Sequence, residues 1–312
     1  MRLAIVEPIG IDKAKCHELA ETILKNKIEV SYYNSPADYK EKIKRSQGAQ
    51  AVMIANNPYK DNILSQCPEL KMISVAFTGV DHVGMEYCRK NKIVVSNCSG
   101  YANEAVSELV IGMCISLYRN IAASNEAVRN GKTNENFLGS ELAGKKFGVI
   151  GAGAIGLKTA ALAKAFGCEV YCYRRHLSGK SDYMFVDMDT ILKTCDIISL
   201  HTPLNEETRG LIDVNKIKLM KKNAILINTA RGPVVDAHAL AQALKEHRIA
   251  GAGIDVFDTE PPLAKDEPLL NVPNVILTPH IGFNTREAIE KRAVTAFTNV
   301  AKWLEGMPQN VM

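Results

Sequence analysis

The chain predicts an α/β fold of two parallel-sheet domains, and three observations carry that reading. Short apolar runs alternate with longer amphipathic stretches, the pattern of strands covered by helices on both faces. The alternation gives way to a long helical stretch near residue 103 and starts afresh at Lys146. The length, 312 residues, accommodates two domains of ordinary size.

Residues 3–6 read as the first strand and 13–25 as an amphipathic helix. Further strands fall at 28–33, 51–55, 71–76 and 93–96, separated by polar or helical segments. A helix is predicted from about 103 to 129, with Val106, Leu109, Val110, Met113 and Leu117 close to helical spacing. Asn130-Gly131 signals a turn, and an irregular stretch runs on to Gly144. The second series places strands at 146–150, 168–173, 196–200, 224–228, 251–255 and 275–278, then a last helix over 285–304.

Composition narrows the function classes. Hydrophobic residues at 46 % and charged residues at 23 % form an ordinary globular mixture, which argues against disorder. The net charge of +4 comes from interspersed signs rather than one basic face, so no nucleic-acid partner is expected. No run approaches the roughly 18 apolar residues of a membrane span. The first apolar run meets Glu7 and Pro8 too soon for a secretory signal. A cytoplasmic protein with no membrane partner is expected. The eight cysteines form no CxxC pair, and Cys168 and Cys172 sit four apart in a strand-like run. They read as reduced core thiols, and no metal site is expected.

Gly151-Ala152-Gly153-Ala154-Ile155-Gly156 follows the strand at 146–150 and opens the next helix. In that setting the first glycine permits a tight turn and the second admits a pyrophosphate. The third lets helix and strand pack closely. The helix N-terminus then offers N–H groups and a positive dipole end to phosphate. An acidic residue at the end of the following strand would bond the ribose hydroxyls of NAD. Arg174 and Arg175 stand there instead, with His176, Ser178 and Lys180 close behind. A guanidinium fork suits the extra phosphate of NADP, so NADP(H) is expected over NAD(H).

Three later segments each lie at a predicted strand end: Asn228-Thr229-Ala230-Arg231-Gly232, Asp255-Val256-Phe257-Asp258-Thr259-Glu260-Pro261, and Thr278-Pro279-His280-Ile281-Gly282. Ligands of open α/β sheets gather beyond the carboxyl ends of the strands, so Arg231, Glu260 and His280 can converge there. In these motifs, in this order after the glycines, the chain resembles the D-isomer-specific 2-hydroxyacid dehydrogenase family. That family includes glycerate, glyoxylate and hydroxypyruvate reductases, D-lactate dehydrogenases and phosphoglycerate dehydrogenases. The resemblance covers nearly the whole chain. It implies two Rossmann-like or flavodoxin-like domains. A dinucleotide-binding domain (residues 99–283) would be inserted into a discontinuous substrate domain (1–98 and 284–312).

The resemblance also implies roles. Arg231 would hold the carboxylate of a 2-keto acid and polarise its carbonyl. His280 would supply the proton, and Glu260 would pair with it and favour its charged form. Cofactor contacts would come from Gly151, Gly153, Ala154, Ile155, Gly156, Arg174 and Arg175. His201, Pro203, Thr208, Thr229, Ala230, Asp255 and Gly282 would add to them, and Val106 would pack on the nicotinamide. The segment from Val75 to Asp81 resembles the family loop whose N–H groups take the substrate carboxylate. This implies substrate contacts from Phe77, Thr78 and Gly79, beside Arg231 and His280. Ser99 stands where the family often has proline, at the crossover between domains. His17, His176, His238 and His247 lie in polar settings and are expected to be solvated.

Phosphoglycerate dehydrogenases typically place arginines near the positions of Asn56 and Val75, and neither is basic here. The chain also stops soon after its last helix, where a regulatory domain would follow. A small unphosphorylated 2-keto acid such as glyoxylate or hydroxypyruvate is therefore the expected substrate. Two alternatives stay open. One is an NAD-dependent phosphoglycerate or D-lactate dehydrogenase. The other is a non-catalytic dinucleotide-sensing protein akin to the C-terminal-binding-protein corepressors, which can keep the triad but usually carry extended tails. The helix from residue 103 and the arm to Gly144 imply a homodimer surface, as in the family.

Overall fold

The computed structural model describes residues 1–176 and 182–312. Ser178 and Lys180, named above beside the arginines, lie outside them. The chain forms two compact units, Met1–Ala102 with Thr285–Met312, and Asn103–Asn284.

The first unit is built on β1 (Arg2–Ile5), β2 (Glu29–Tyr32), β3 (Ala51–Ile54), β4 (Met72–Val75) and β5 (Val94–Ser96). They pair in parallel in the order β2-β1-β3-β4-β5. Every residue of β3 and β4 is buried, because a parallel strand covered on both faces has no wet side. Between the strands lie α1 (Lys13–Leu19), α2 (Tyr39–Ser46), α3 (Asp61–Leu64) and α4 (Met85–Lys90). The side chains of Asp12 and Asp38 cap α1 and α2 by accepting the N–H groups of Lys15 and Glu41. The helix predicted over 13–25 turns π-helical from Ala20 to Leu24.

The second unit begins with α5 (Asn103–Tyr118) and α6 (Ile121–Arg129). This corrects the single helix predicted over 103–129: the two are bent by 57° about Asn120, which takes the left-handed conformation at φ 53°. Asparagine tolerates that region, and it ends α5 where the buried stripe of Val106, Val110, Met113 and Cys114 is complete. The sheet holds β6 (Lys146–Ile150), β7 (Glu169–Tyr173), β8 (Met184–Phe185), β9 (Ile197–Leu200), β10 (Ile225–Asn228), β11 (Gly251–Ile254) and β12 (Val275–Leu277). Their order is β12-β11-β10-β9-β6-β7-β8, all parallel. The helices among them are α7 (Ala154–Ala165), α8 (Met188–Thr194), α9 (Val214–Leu219) and α10 (Ala237–Lys245). A core lies on each face. Phe147 and Val149 of β6 pack with Val110, Met113 and Ala160 of α5 and α7. Ile150 points the other way, into Ile191, Met220 and Leu240 around α8–α10. Each fully buried side chain of this size stabilises the fold by roughly 1.5–3 kcal/mol.

The chain then returns to the first unit as α11 (Arg286–Leu304), capped by Thr285. Its buried stripe of Ala293, Ala296, Phe297 and Val300 lies on the first sheet, where the Ser74 hydroxyl donates to the Ala296 carbonyl at 2.9 Å. All eight cysteines are buried and unbridged. Among the described residues no single helix is long and apolar enough to cross a membrane.

Candidate active site

The second sheet reverses direction of growth between β6 and β9, the position at which doubly wound sheets open a crevice. The glycine turn sits there. Gly151 leaves β6 at φ 100°, and a Cβ on it would stand 2.6 Å from the backbone carbon of His201, just past β9. A Cβ on Gly156 would stand 2.3 Å from the Gly151 carbonyl oxygen. Gly153 is exposed and meets nothing within 4 Å. It also caps α7 without a side-chain bond, so the first N–H groups of the helix, at Ala154 and Ile155, have no intrahelical acceptor and can take an anion. Two buried hydroxyls, Thr202 Oγ1 beside this turn past β9 and Thr229 Oγ1 past β10, lack a hydrogen-bond partner among the described residues. A phosphate-bearing dinucleotide would supply both the anion and the missing partners, so these residues fit one.

The neighbouring contacts are mixed. Arg174 places its guanidinium over the Phe185 ring at 5.2 Å, and exposed Arg175 pairs with Glu207. Thr208 closes a turn on the Pro203 carbonyl at 2.6 Å. His201 bonds Ser199 through Nε2 at 2.9 Å, and burial pushes its pKa down to about 4. Val106 is buried in the first turn of α5, 3.5 Å from where a Cβ on Gly282 would lie.

Arg231, Glu260 and His280 leave the ends of β10, β11 and β12, adjacent strands of one sheet. Asn228, 1 % exposed, braces the first loop. Its Oδ1 accepts the Ala230 N–H at 3.1 Å and its Nδ2 donates to the Arg231 carbonyl at 2.9 Å. Gly232 then runs against the second loop so closely that a Cβ would stand 2.0 Å from the Phe257 carbonyl carbon. Only glycine fits, and this contact ties the Arg231 loop to the loop that carries Glu260. The third loop is held by Asp255. Its buried carboxylate accepts from Thr278 Oγ1 at 2.5 Å and from the N–H groups of Ile281 and Gly282 at 2.8 Å each. Burial nonetheless pushes the Asp255 pKa up, against the pull of these bonds and of nearby His280. His280 takes φ 54° and donates its N–H to the Asp255 carbonyl at 2.8 Å. The turn so formed aims the ring at Glu260, whose Oε1 meets His280 Nδ1 at 2.9 Å. The Phe283 ring packs edge-on against it at 5.4 Å.

The structure thus brings Glu260 to His280, and the loop of Arg231 to that of Glu260. Asp255 and the Gly282 N–H are engaged with each other inside the His280 loop. Asn228 and Thr278 were not singled out from sequence. Both are short polar residues at strand ends inside quoted motifs, the one signal that could have marked them. His17, His176, His238 and His247 are exposed, as expected.

Phe77, Thr78 and Gly79 belong to the first unit, past β4. The Cys98 N–H donates to the Phe77 carbonyl at 2.9 Å, and Asn97 Nδ2 donates to the Thr78 carbonyl at 2.7 Å. A trans peptide points its N–H opposite its carbonyl. The N–H groups of Thr78 and Gly79 are therefore turned away from these inner partners.

A family model described as D-isomer specific 2-hydroxyacid dehydrogenase, NAD binding domain, matches residues 111–282. The chain is 38 % identical over 302 residues to a glycerate dehydrogenase of Methylorubrum extorquens, covering 91 % of this chain and 94 % of the relative. It is 38 % identical over 274 residues to a glyoxylate reductase of Thermococcus litoralis, covering 84 % of this chain and 82 % of the relative. Among solved structures, an acyclic imino acid reductase in complex with NADPH and D-arginine superposes with TM-score 0.92 at 29 % identity over 100 % of both chains.

Proposed function

This chain belongs to the D-isomer-specific 2-hydroxyacid dehydrogenase family, and from that premise we propose that it reduces a small unphosphorylated 2-keto acid of the glyoxylate or hydroxypyruvate type. It is an oxidoreductase with a nicotinamide dinucleotide cofactor. The observation that carries the proposal is the 2.9 Å contact of His280 Nδ1 with Glu260, whose loop runs against that of Arg231.

A dinucleotide held there would supply the hydride. Arg231 holds the substrate carboxylate and polarises the keto oxygen, where negative charge grows. Glu260 fixes the His280 ring through Nδ1, so the proton reaches that oxygen from Nε2. In oxidation the same nitrogen takes the proton back. We assign the outward N–H groups of the Phe77–Thr78–Gly79 loop to the carboxylate, and thereby the first unit to the substrate. Gly151, Gly153, Ala154, Ile155 and Gly156 take the pyrophosphate. His201, Pro203, Thr208, Thr229, Ala230 and Val106 line the rest of the dinucleotide. Arg174 and Arg175 favour NADP(H), a preference supported by their place at the end of β7 and by the NADPH of the imino acid reductase. A cytoplasmic homodimer completes the proposal. The phosphoglycerate alternative is disfavoured because Val75 is wholly buried and exposed Asn56 carries no charge to hold a phosphate.

Steady-state assays of glyoxylate, hydroxypyruvate, pyruvate and phosphohydroxypyruvate with NADPH and NADH test it, on the wild type and on His280→Ala. The expected outcome is highest kcat/KM on glyoxylate or hydroxypyruvate. His280→Ala lowers kcat by roughly 10²–10⁴-fold while dinucleotide binding persists. Highest efficiency on phosphohydroxypyruvate, or full turnover by the variant, refutes it.

A further inference from the structure

The first sheet also has a switch point. Its order β2-β1-β3-β4-β5 reverses between β1 and β3, and sheets of this order bind ligands beyond the carboxyl ends of those two strands. Two residues past β1 stands Glu7, and directly past β3 begins the segment 55–58. Glu7 is 1 % exposed and Lys42 of α2 is 3 % exposed, and their charges meet at 3.1 Å. The pair grips the segment at three points. Glu7 Oε1 accepts the Ala55 N–H at 2.7 Å, Glu7 Oε2 accepts from Asn57 Nδ2 at 2.9 Å, and Lys42 Nζ donates to the Pro58 carbonyl at 3.0 Å. Asn56 and Asn57 are left exposed on top of this grip.

A buried ion pair is a poor device for stability alone, since apolar residues of similar volume serve a core equally well or better. Here both charges are directed at one loop. We propose that Glu7 and Lys42 are positioning residues for substrate. They hold the 55–58 loop rigid at the switch point, and its exposed face selects the part of the 2-keto acid beyond the carboxylate. This rests on the reading that the first unit carries the substrate.

Glu7→Gln preserves size while removing the charge that faces Lys42. The KM for glyoxylate and hydroxypyruvate rises roughly tenfold, the scale of one lost charge-assisted hydrogen bond. The change in kcat stays within about twofold, a split expected for lost substrate positioning rather than lost chemistry. NADPH affinity by fluorescence titration does not move. Adding Lys42→Met to Glu7→Gln removes the stranded charge, so thermal stability recovers while KM stays high. Asn57→Ala trims one exposed side chain, and it raises KM in the same sense where Glu7→Gln does not fold. Hydrogen exchange at the amides of 55–57 reads the loop without turnover and accelerates in Glu7→Gln. Unchanged exchange, unchanged KM, or a loss of kcat and NADPH affinity that accompanies the rise in KM overturns the proposal. A wild type that reduces no 2-keto acid overturns the functional reading instead, and the exchange measurement then still decides whether the pair holds the loop.

Discussion

Two histidines of the second unit meet opposite environments. His280 is bonded to a carboxylate, Glu260, and is held by a left-handed turn that Asp255 ties down at three points. His201 is bonded to a hydroxyl, Ser199, and packed so that burial pushes its pKa from 6.5 to about 4. A ring kept neutral has a consequence for stability. As pH falls below 6.5 the unfolded chain takes a proton on His201 that the folded chain refuses until about 4. The stability it contributes is therefore whole above that range and is lost progressively on the way down through it. The loss between pH 7.5 and pH 5 amounts to about 2 kcal/mol from this residue. Urea unfolding at the two pH values, on the wild type and on His201→Gln without cofactor, reads it. The wild type should lose that much more than the variant, and equal losses would show that His201 is not the group responsible.

At the scale of elements, the proposed preference for NADP(H) rests on the end of β7. Arg174 replaces the acid that would bond the ribose hydroxyls, and its guanidinium is steadied over Phe185. Arg174→Asp should weaken NADPH by roughly 10–100-fold, the scale of one or two charge-assisted hydrogen bonds, and NADH by far less. Fluorescence titration of both nucleotides checks this, and equal weakening would remove Arg174 from the argument. The elements themselves were largely legible in sequence, because a parallel strand such as β3 or β9 is a short apolar run with no polar face to confuse it. The break between α5 and α6 was not. Asn120 is no Gly or Pro, and its left-handed turn shows only once α5 is packed. Arg231, Glu260 and His280 were legible because each stands in a motif at a strand end. Their braces were less so: Asn228 and Asp255 bond mostly backbone groups, which leave no mark in the sequence. Glu7 and Lys42 were illegible for a different reason. Either charge alone reads as a solvated surface, and only folding brings α2 to the end of β1.

At the scale of the whole molecule, one face of the second unit is unfinished. Past the elbow at Asn120, α6 exposes Ile121 and Val128, and the irregular arm beyond it holds Leu138 at 98 % exposure. The base of the arm is anchored by the Ser140 N–H on the Tyr118 carbonyl at 2.9 Å, so Leu138 stands on an ordered support. Beside it lies a groove of about 490 Å³ lined by Leu117, Tyr118, Ala122 and Leu138 together with the polar Asn120, Glu126 and Lys145. A leucine left this exposed beside a groove of mixed polarity is suited to cover by a partner surface. A two-fold axis would cover both copies at once, each Leu138 entering the other's groove, which is why an isologous pair answers the geometry better than a chain of contacts. The wild type should elute with light-scattering mass near twice 34.2 kDa at micromolar concentration. Leu138→Asp would put an unpaired charge in the core of such an interface, at a cost of several kcal/mol, and should shift the mass to the monomer. NADPH binding should survive in that monomer, because the glycine turn and the β9–β12 loops lie within a single unit. A wild type of monomer mass, or a variant that stays dimeric, would mean that this face serves something other than self-association.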